Sequence, residues 1–215
     1  MTKNENIYLV AIVVMTIVSF SNFFGFNIAG LTVIVGITFF FINRFSKKNV
    51  TSDNALNVKA IGTNLKDKSI CFWIFSPMIM NIICFTLATL FLPEFIEHIY
   101  NRTEFVVSLD KILLLVLQLA IFAVGEEIAW RGFFQKQLSK WFPIFPTLIL
   151  TSIIFSFGHF SVGNIAVVSY DILFISINSL LYGVVFYKTN NAWLSAISHF
   201  IANLFGAIVI ILFLR

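Results

Sequence analysis

KILLLVLQLAIFAVGEEIAWRGFF, Lys111–Phe134, decides the fold. A run this apolar and this long reads as a membrane-crossing helix. Yet it carries two adjacent carboxylates, Glu126 and Glu127, and an arginine, Arg131. Ionisable groups within a span are expensive in lipid and face the bundle interior, where they need partners.

The composition of the chain supports the membrane reading. Of its 215 residues 59% are hydrophobic and 11% charged, with 27 Phe. A soluble domain carries roughly 25% charged residues. The short alternating segments of an outer-membrane barrel are missing from the pattern. The fold class expected is therefore all-α: a polytopic transmembrane helical bundle, one integral membrane domain over residues 1–215, with about seven spans. They run approximately over Ile7–Phe24, Ile28–Ile42, Ile70–Leu92, Lys111–Phe134, Ile144–Phe160, Ile165–Tyr187 and Ala192–Leu214. The first span has no small-residue cleavage site after it and reads as a retained helix rather than a signal peptide.

Basic residues set the expected orientation. With seven crossings and the N-terminus inside, eleven of the 14 Lys and Arg residues fall on the inner side, and Arg102, Lys111 and Arg215 on the outer. That bias predicts N-in, C-out. The basic connection Asn43–Ser69 is expected to lie on the anionic inner leaflet. The connection Pro93–Asp110 is an acidic outer loop. Cys71 and Cys84 lie thirteen residues apart on one span, about 20 Å, beyond disulfide reach, and read as small hydrophobes. Asn49-Val50-Thr51 and Asn101-Arg102-Thr103 match a glycosylation sequon that means little in a bacterial protein, and the richness in Phe, Ile, Asn and Lys is the bias of an AT-rich bacterial genome. The location expected is a bacterial plasma membrane.

Few ionisable groups remain within the spans: Glu126, Glu127, Arg131, His159, His199 and, nearer an end, Asp171. Glu127 and Arg131 are four apart and can pair on one helical face. Glu126 is turned about 100° from Glu127 and is left to address another helix. In FSFGHF, Phe155 and His159 are four apart. In SHFIAN, His199 and Asn203 are four apart and project the same way. Taken singly, the charges on the fourth span read equally as interfacial, His159 as an interfacial histidine next to a turn, and His199 with Asn203 as hydrogen-bonding glue between helices. Counted at about 1.5 Å per residue, however, all three pieces reach a similar depth.

A carboxylate beside a neutral imidazole can take a proton from water and pass it to a leaving amine. A second imidazole and an amide can donate to the oxyanion of a tetrahedral intermediate. The same Glu/His/His set could instead ligate Zn²⁺, but there is no H-E-x-x-H and the spacing leaves the metal open. A small proton-coupled transporter using the buried groups as a relay would also explain buried polar residues. A transporter should show inverted repeats, which this chain lacks.

Glu126-Glu127-x-x-x-Arg131-Gly132, Phe155-x-x-x-His159 and His199-x-x-x-Asn203 resemble, in order and spacing, the three motifs of the CPBP family, the CAAX proteases and bacteriocin-processing enzymes also called Abi. The resemblance covers the last four helices, a motif-bearing core of about 111–214. Trp130 stands where many members carry Phe, a departure expected to touch only packing. The resemblance implies an intramembrane endopeptidase, with a non-proteolytic bacteriocin immunity protein of the same fold as the alternative. In that scheme Glu126 and His159 activate water, His199 and Asn203 hold the oxyanion, and Glu127 and Arg131 support the site. The family is labelled as metalloproteases, yet a metal-free glutamate mechanism is also argued, so Zn²⁺ or no cofactor are both compatible. The partners implied are the lipid bilayer and a peptide or membrane-anchored protein substrate; nothing points to nucleic acid.

Overall fold

The computed structural model describes residues 3–26, 28–46, 54–103 and 112–213. Lys47, Lys48, the Asn49–Thr51 sequon, Glu104, Asp110, Lys111, Leu214 and Arg215 lie outside the described residues. Among those described there is no strand. In chain order the helices are α1 (Lys3–Ser19), α2 (Leu31–Ser46), α3 (Lys59–Asn64), α4 (Lys68–Phe91), α5 (Glu94–Thr103), α6 (Ile112–Leu138), α7 (Ile144–Phe157), α8 (Ile165–Thr189) and α9 (Ala192–Phe213). By length and apolarity α4, α6, α8 and α9 can cross a membrane, whereas α1, α2 and α7 are apolar but shorter. The protein is a helical membrane protein. Leu90, Leu113, Ile121 and Leu212 stand outward and exposed on the long helices, a surface that suits acyl chains and not water.

The core forms where small residues let helices approach. A Cβ added at Gly36 of α2 would lie 2.5 Å from the Cβ of Ala129, and one at Gly132 would lie 3.0 Å from the Phe40 ring. So α2 lies flat on α6, with Met15, Phe40, Ala129, Phe133 and Phe134 fully enclosed between them and α1. On its other side α6 meets α9, which also packs on α4 and α8. Pro77 inside α4 cannot bond the Trp73 carbonyl, which instead accepts from the Ser76 hydroxyl at 2.8 Å. One residue on, the Ile74 carbonyl accepts from Ser198 of α9 at 2.7 Å, which fixes α9 directly beside His199.

Two connections are more ordered than the sequence suggests. Part of the expected outer loop is α5, whose Phe95 and Ile99 are buried against Cys84, Ala88, Val167, Phe174 and Ile210. Its other face sends Arg102 and His98 to Asp171 of α8, at 2.5 and 3.3 Å. Asp171 is therefore a buried ion-pair partner. The basic connection is tied to protein as well: the Leu56 and Asn57 carbonyls accept from Trp193 Nε1 (3.3 Å) and Asn191 Nδ2 (2.8 Å). Cys84 is buried and Cys71 is half-buried; both are free thiols.

Candidate functional site

The second half of α6 is wound as a π-helix over Ile128–Gln135. Such wide turns are rare and occur often at functional sites. Here the widened segment starts directly after the two glutamates. Glu127 and Arg131, both fully buried, form an ion pair at 3.1 Å, as the spacing of four predicts. Arg131 Nη2 donates to the carbonyl and hydroxyl of Ser179 on α8, at 2.7 and 2.8 Å. One turn on, Gln135 Nε2 donates to the Gly183 carbonyl at 3.1 Å. The arginine also lies over the faces of Phe155 (5.0 Å) and Tyr182 (5.5 Å). Around this deep pair Arg131 Nη2 is satisfied by Ser179, whereas Arg131 Nε is buried with no hydrogen-bond partner among the described residues, so the guanidinium depends on Glu127 as its counter-charge.

Glu127 has further partners on α9. His199 Nδ1 donates to its Oε1 at 2.9 Å, and the Ser195 hydroxyl donates to its Oε2 at 2.5 Å. Because a carboxylate can only accept, this bond places a proton on Nδ1 of His199 and turns Nε2 outward. Nε2 then faces Glu126 at 3.8 Å. The Tyr182 ring stacks on the imidazole at 4.4 Å and holds its plane. Glu126, with a partly accessible side chain (21%), thus addresses another helix while its neighbour is sealed (0%).

His159 departs from its expected setting. Helix α7 stops at Phe157, so the histidine sits in a turn and not on a continuing helical face. Its backbone N–H bonds the Ser156 carbonyl at 2.9 Å, and Nδ1 lies 3.1 Å from the Phe155 carbonyl. A carbonyl accepts only, so Nδ1 carries a proton, and in the neutral ring Nε2 then presents a lone pair. Phe155 contacts both imidazoles, at 4.7 Å from His159 and 6.2 Å from His199. Trp130 is buried edge-on against Phe155, a packing role.

Glu126, His159, His199 and Asn203 all line one cavity of about 700 Å³. Its walls include Asn81 and Phe85 of α4, Leu119 of α6, and Asn178 of α8. Asn178 Nδ2 donates to Asn81 Oδ1 (2.6 Å), and Asn81 Nδ2 to the Ala202 carbonyl (2.9 Å). Sequence reading missed Ser195, Ser179, Tyr182 and Asn81. Ser195 was within reach, since 195, 199 and 203 continue one series of fours; the others carry no local signal. Among the described residues no three His, Cys, Asp or Glu side chains are grouped to hold a metal ion. A structural or catalytic zinc takes at least three protein ligands around one centre.

Comparison with known families gives one finding. A family model described as type II CAAX prenyl endopeptidase Rce1-like matches residues 108–205. That interval contains every motif residue named above. No curated protein matches the chain, and no solved structure does.

Proposed function

We propose, from the premise that residues 108–205 match the Rce1-like family, that this chain is an intramembrane endopeptidase using water activated by Glu126 and His159. The observation that carries the reading is the shared cavity, into which three separate elements bring a carboxylate, two imidazoles and an amide. Water held between Glu126 and the His159 Nε2 lone pair gives a proton to the Glu126 carboxylate as its oxygen adds to the scissile carbonyl carbon. The resulting oxyanion accepts from the Asn203 amide and from Nε2–H of His199. To donate there, His199 carries both ring protons, and its charge is balanced within the set Glu126, Glu127 and Arg131. The proton then passes to the departing amine as the C–N bond breaks. Glu127, Arg131, Ser195 and Tyr182 touch no reacting atom; they orient His199.

The substrate proposed is a membrane-anchored peptide or protein bearing a C-terminal Cys-a-a-X sequence, the class after which the matched family is described. The setting proposed is a bacterial plasma membrane, with seven crossings, the N-terminus inside and residue 213 outside.

The experiment is a cleavage assay in detergent with an internally quenched, prenylated peptide ending in Cys-a-a-X. Wild type should release the three-residue product with or without a chelator, and Glu126→Gln should lower the rate by about 10²–10⁴-fold. Cleavage by the glutamine variant at the wild-type rate would remove Glu126 as base. Loss of wild-type activity on chelation would reinstate a metal.

A further inference from the structure

His159 is the one proposed catalytic side chain that no helix holds, and its support comes from outside the family-matched interval. Helix α7 ends at Phe157, leaving the carbonyls of Gly158 and Phe160, which flank the histidine, without helical partners. Both point at Asn22, in the one-turn 3₁₀ segment Ser21–Phe24 that follows α1. Asn22 Nδ2 lies 3.3 Å from the Gly158 oxygen and 3.1 Å from the Phe160 oxygen. Two acceptors on one side fix which way the amide faces, because the flipped form would set Oδ1 against two carbonyl oxygens. Rings close around the same turn: Phe23 stacks on Phe160 at 3.8 Å, and Phe20 lies 4.7 Å from Phe157. Asn22 itself lines the cavity beside His159.

We infer that Asn22 is a positioning residue, bridging the Gly158 and Phe160 carbonyls so that His159 keeps Nδ1 on the Phe155 carbonyl and Nε2 turned to the cavity. Without the bridge, the 158–160 turn has two carbonyls to satisfy by other means, and each alternative rotates the peptide that carries the imidazole. The α1–α2 pair is then part of the active machinery, although the family pattern begins only at residue 108. The kinetic consequence rests on the catalytic reading of His159; the structural one does not.

The test uses the full chain, uniformly ¹⁵N-labelled at histidine, in detergent micelles. The imidazole signals of its three histidines are assigned by deleting His159 as His159→Gln. Wild type should show His159 as a single neutral tautomer, protonated at Nδ1. Asn22→Leu keeps the volume and removes the donor; Asn22→Gln keeps a donor. The leucine variant should show a mixture of tautomers at His159 with His199 unmoved, and the glutamine variant should recover much of the wild-type signal. Asn22→Ala gives the same reading if the leucine protein aggregates. On the quenched prenylated peptide, the leucine variant should lose about ten-fold or more in kcat with KM little changed. An unshifted His159 signal in both donor-less variants overturns the inference. A shifted His159 signal in the leucine variant, together with a wild type that does not cleave the peptide, would leave the bridge standing and remove the catalytic reading instead.

Discussion

Glu126 and Glu127 are neighbours in the chain, yet a carboxylate lost from each should fail in a different way. Glu127 joins Arg131, His199 and Ser195 at 2.5–3.1 Å, all of them buried. In Glu127→Gln the guanidinium stays buried and loses its counter-charge, which costs about 3–5 kcal/mol in comparable pairs. The expected outcome is a lower midpoint for thermal unfolding in detergent, together with lost turnover. Glu126→Gln breaks only the 3.8 Å approach to His199, so that variant should unfold within a degree or two of wild type while losing cleavage. Equal destabilisation by both substitutions would contradict this division. The division itself was legible: spacings of four pair Glu127 with Arg131 and leave Glu126 pointing elsewhere. What the spacing could not give is that Glu127 also takes Nδ1 of His199, because that bond depends on how α9 lies against α6.

Among the elements, α2 and α5 show why some of the fold is readable and some is not. The face of α6 against α2 is Gly125, Ala129 and Gly132, and it meets Val33, Gly36 and Phe40. With Ala129 Cβ only 2.5 Å from a Cβ at Gly36, Gly36→Leu must push the two helices apart. Overpacking of this kind costs about 1–3 kcal/mol; the check is the same thermal midpoint, which should fall. The widened turn at Ile128–Gln135 left no mark in the sequence, since spacings of four remain on one face either way. α5 did leave one: Phe95, Ile96, Ile99 and Tyr100 form an amphipathic stripe, hidden by the acidic residues that made the segment look like a loop. Its docking rests on Asp171, which takes Arg102 and His98. Asp171→Asn should therefore speed amide hydrogen exchange across residues 94–103 while leaving α2 unaffected. Unchanged exchange there would mean that the apolar face alone holds α5. The turn after α7 lies beyond local reading, because the residue that donates to the Gly158 carbonyl is 136 positions away.

At the scale of the whole molecule, packing constrains which termini share a side of the membrane, and charge then selects the side. Ile210, near the end of α9, packs with Phe95 and Ile99 of α5, so residue 213 and α5 lie at one end. Ser161, after α7, bonds His98 at 3.3 Å, so the α7–α8 connection reaches that end too. Helix α7 has only 14 residues, about 21 Å, so the proposed seven-crossing arrangement needs the unwound residues 158–164 to supply the remaining depth. The opposite end holds the α8–α9 turn at Asn190, where φ is +46°, and its bonds to Leu56 and Asn57. Lys59, Lys66, Lys68 and Lys188 belong to this second end, whereas α5 carries Glu94 and Glu97. The orientation proposed from the positive-inside bias, with the Asn190 turn in the cytoplasm and α5 outside, is testable from both ends. A periplasmic-only reporter enzyme fused after the last residue should be active. A single cysteine at Asn190, in a Cys71→Ser, Cys84→Ala background, should resist an impermeant thiol reagent until the membrane is opened. The opposite pair of results would invert the molecule without changing its internal order. Both probes on one side would break the link between Ile210 and α5, and with it the placement of the cavity's outer wall.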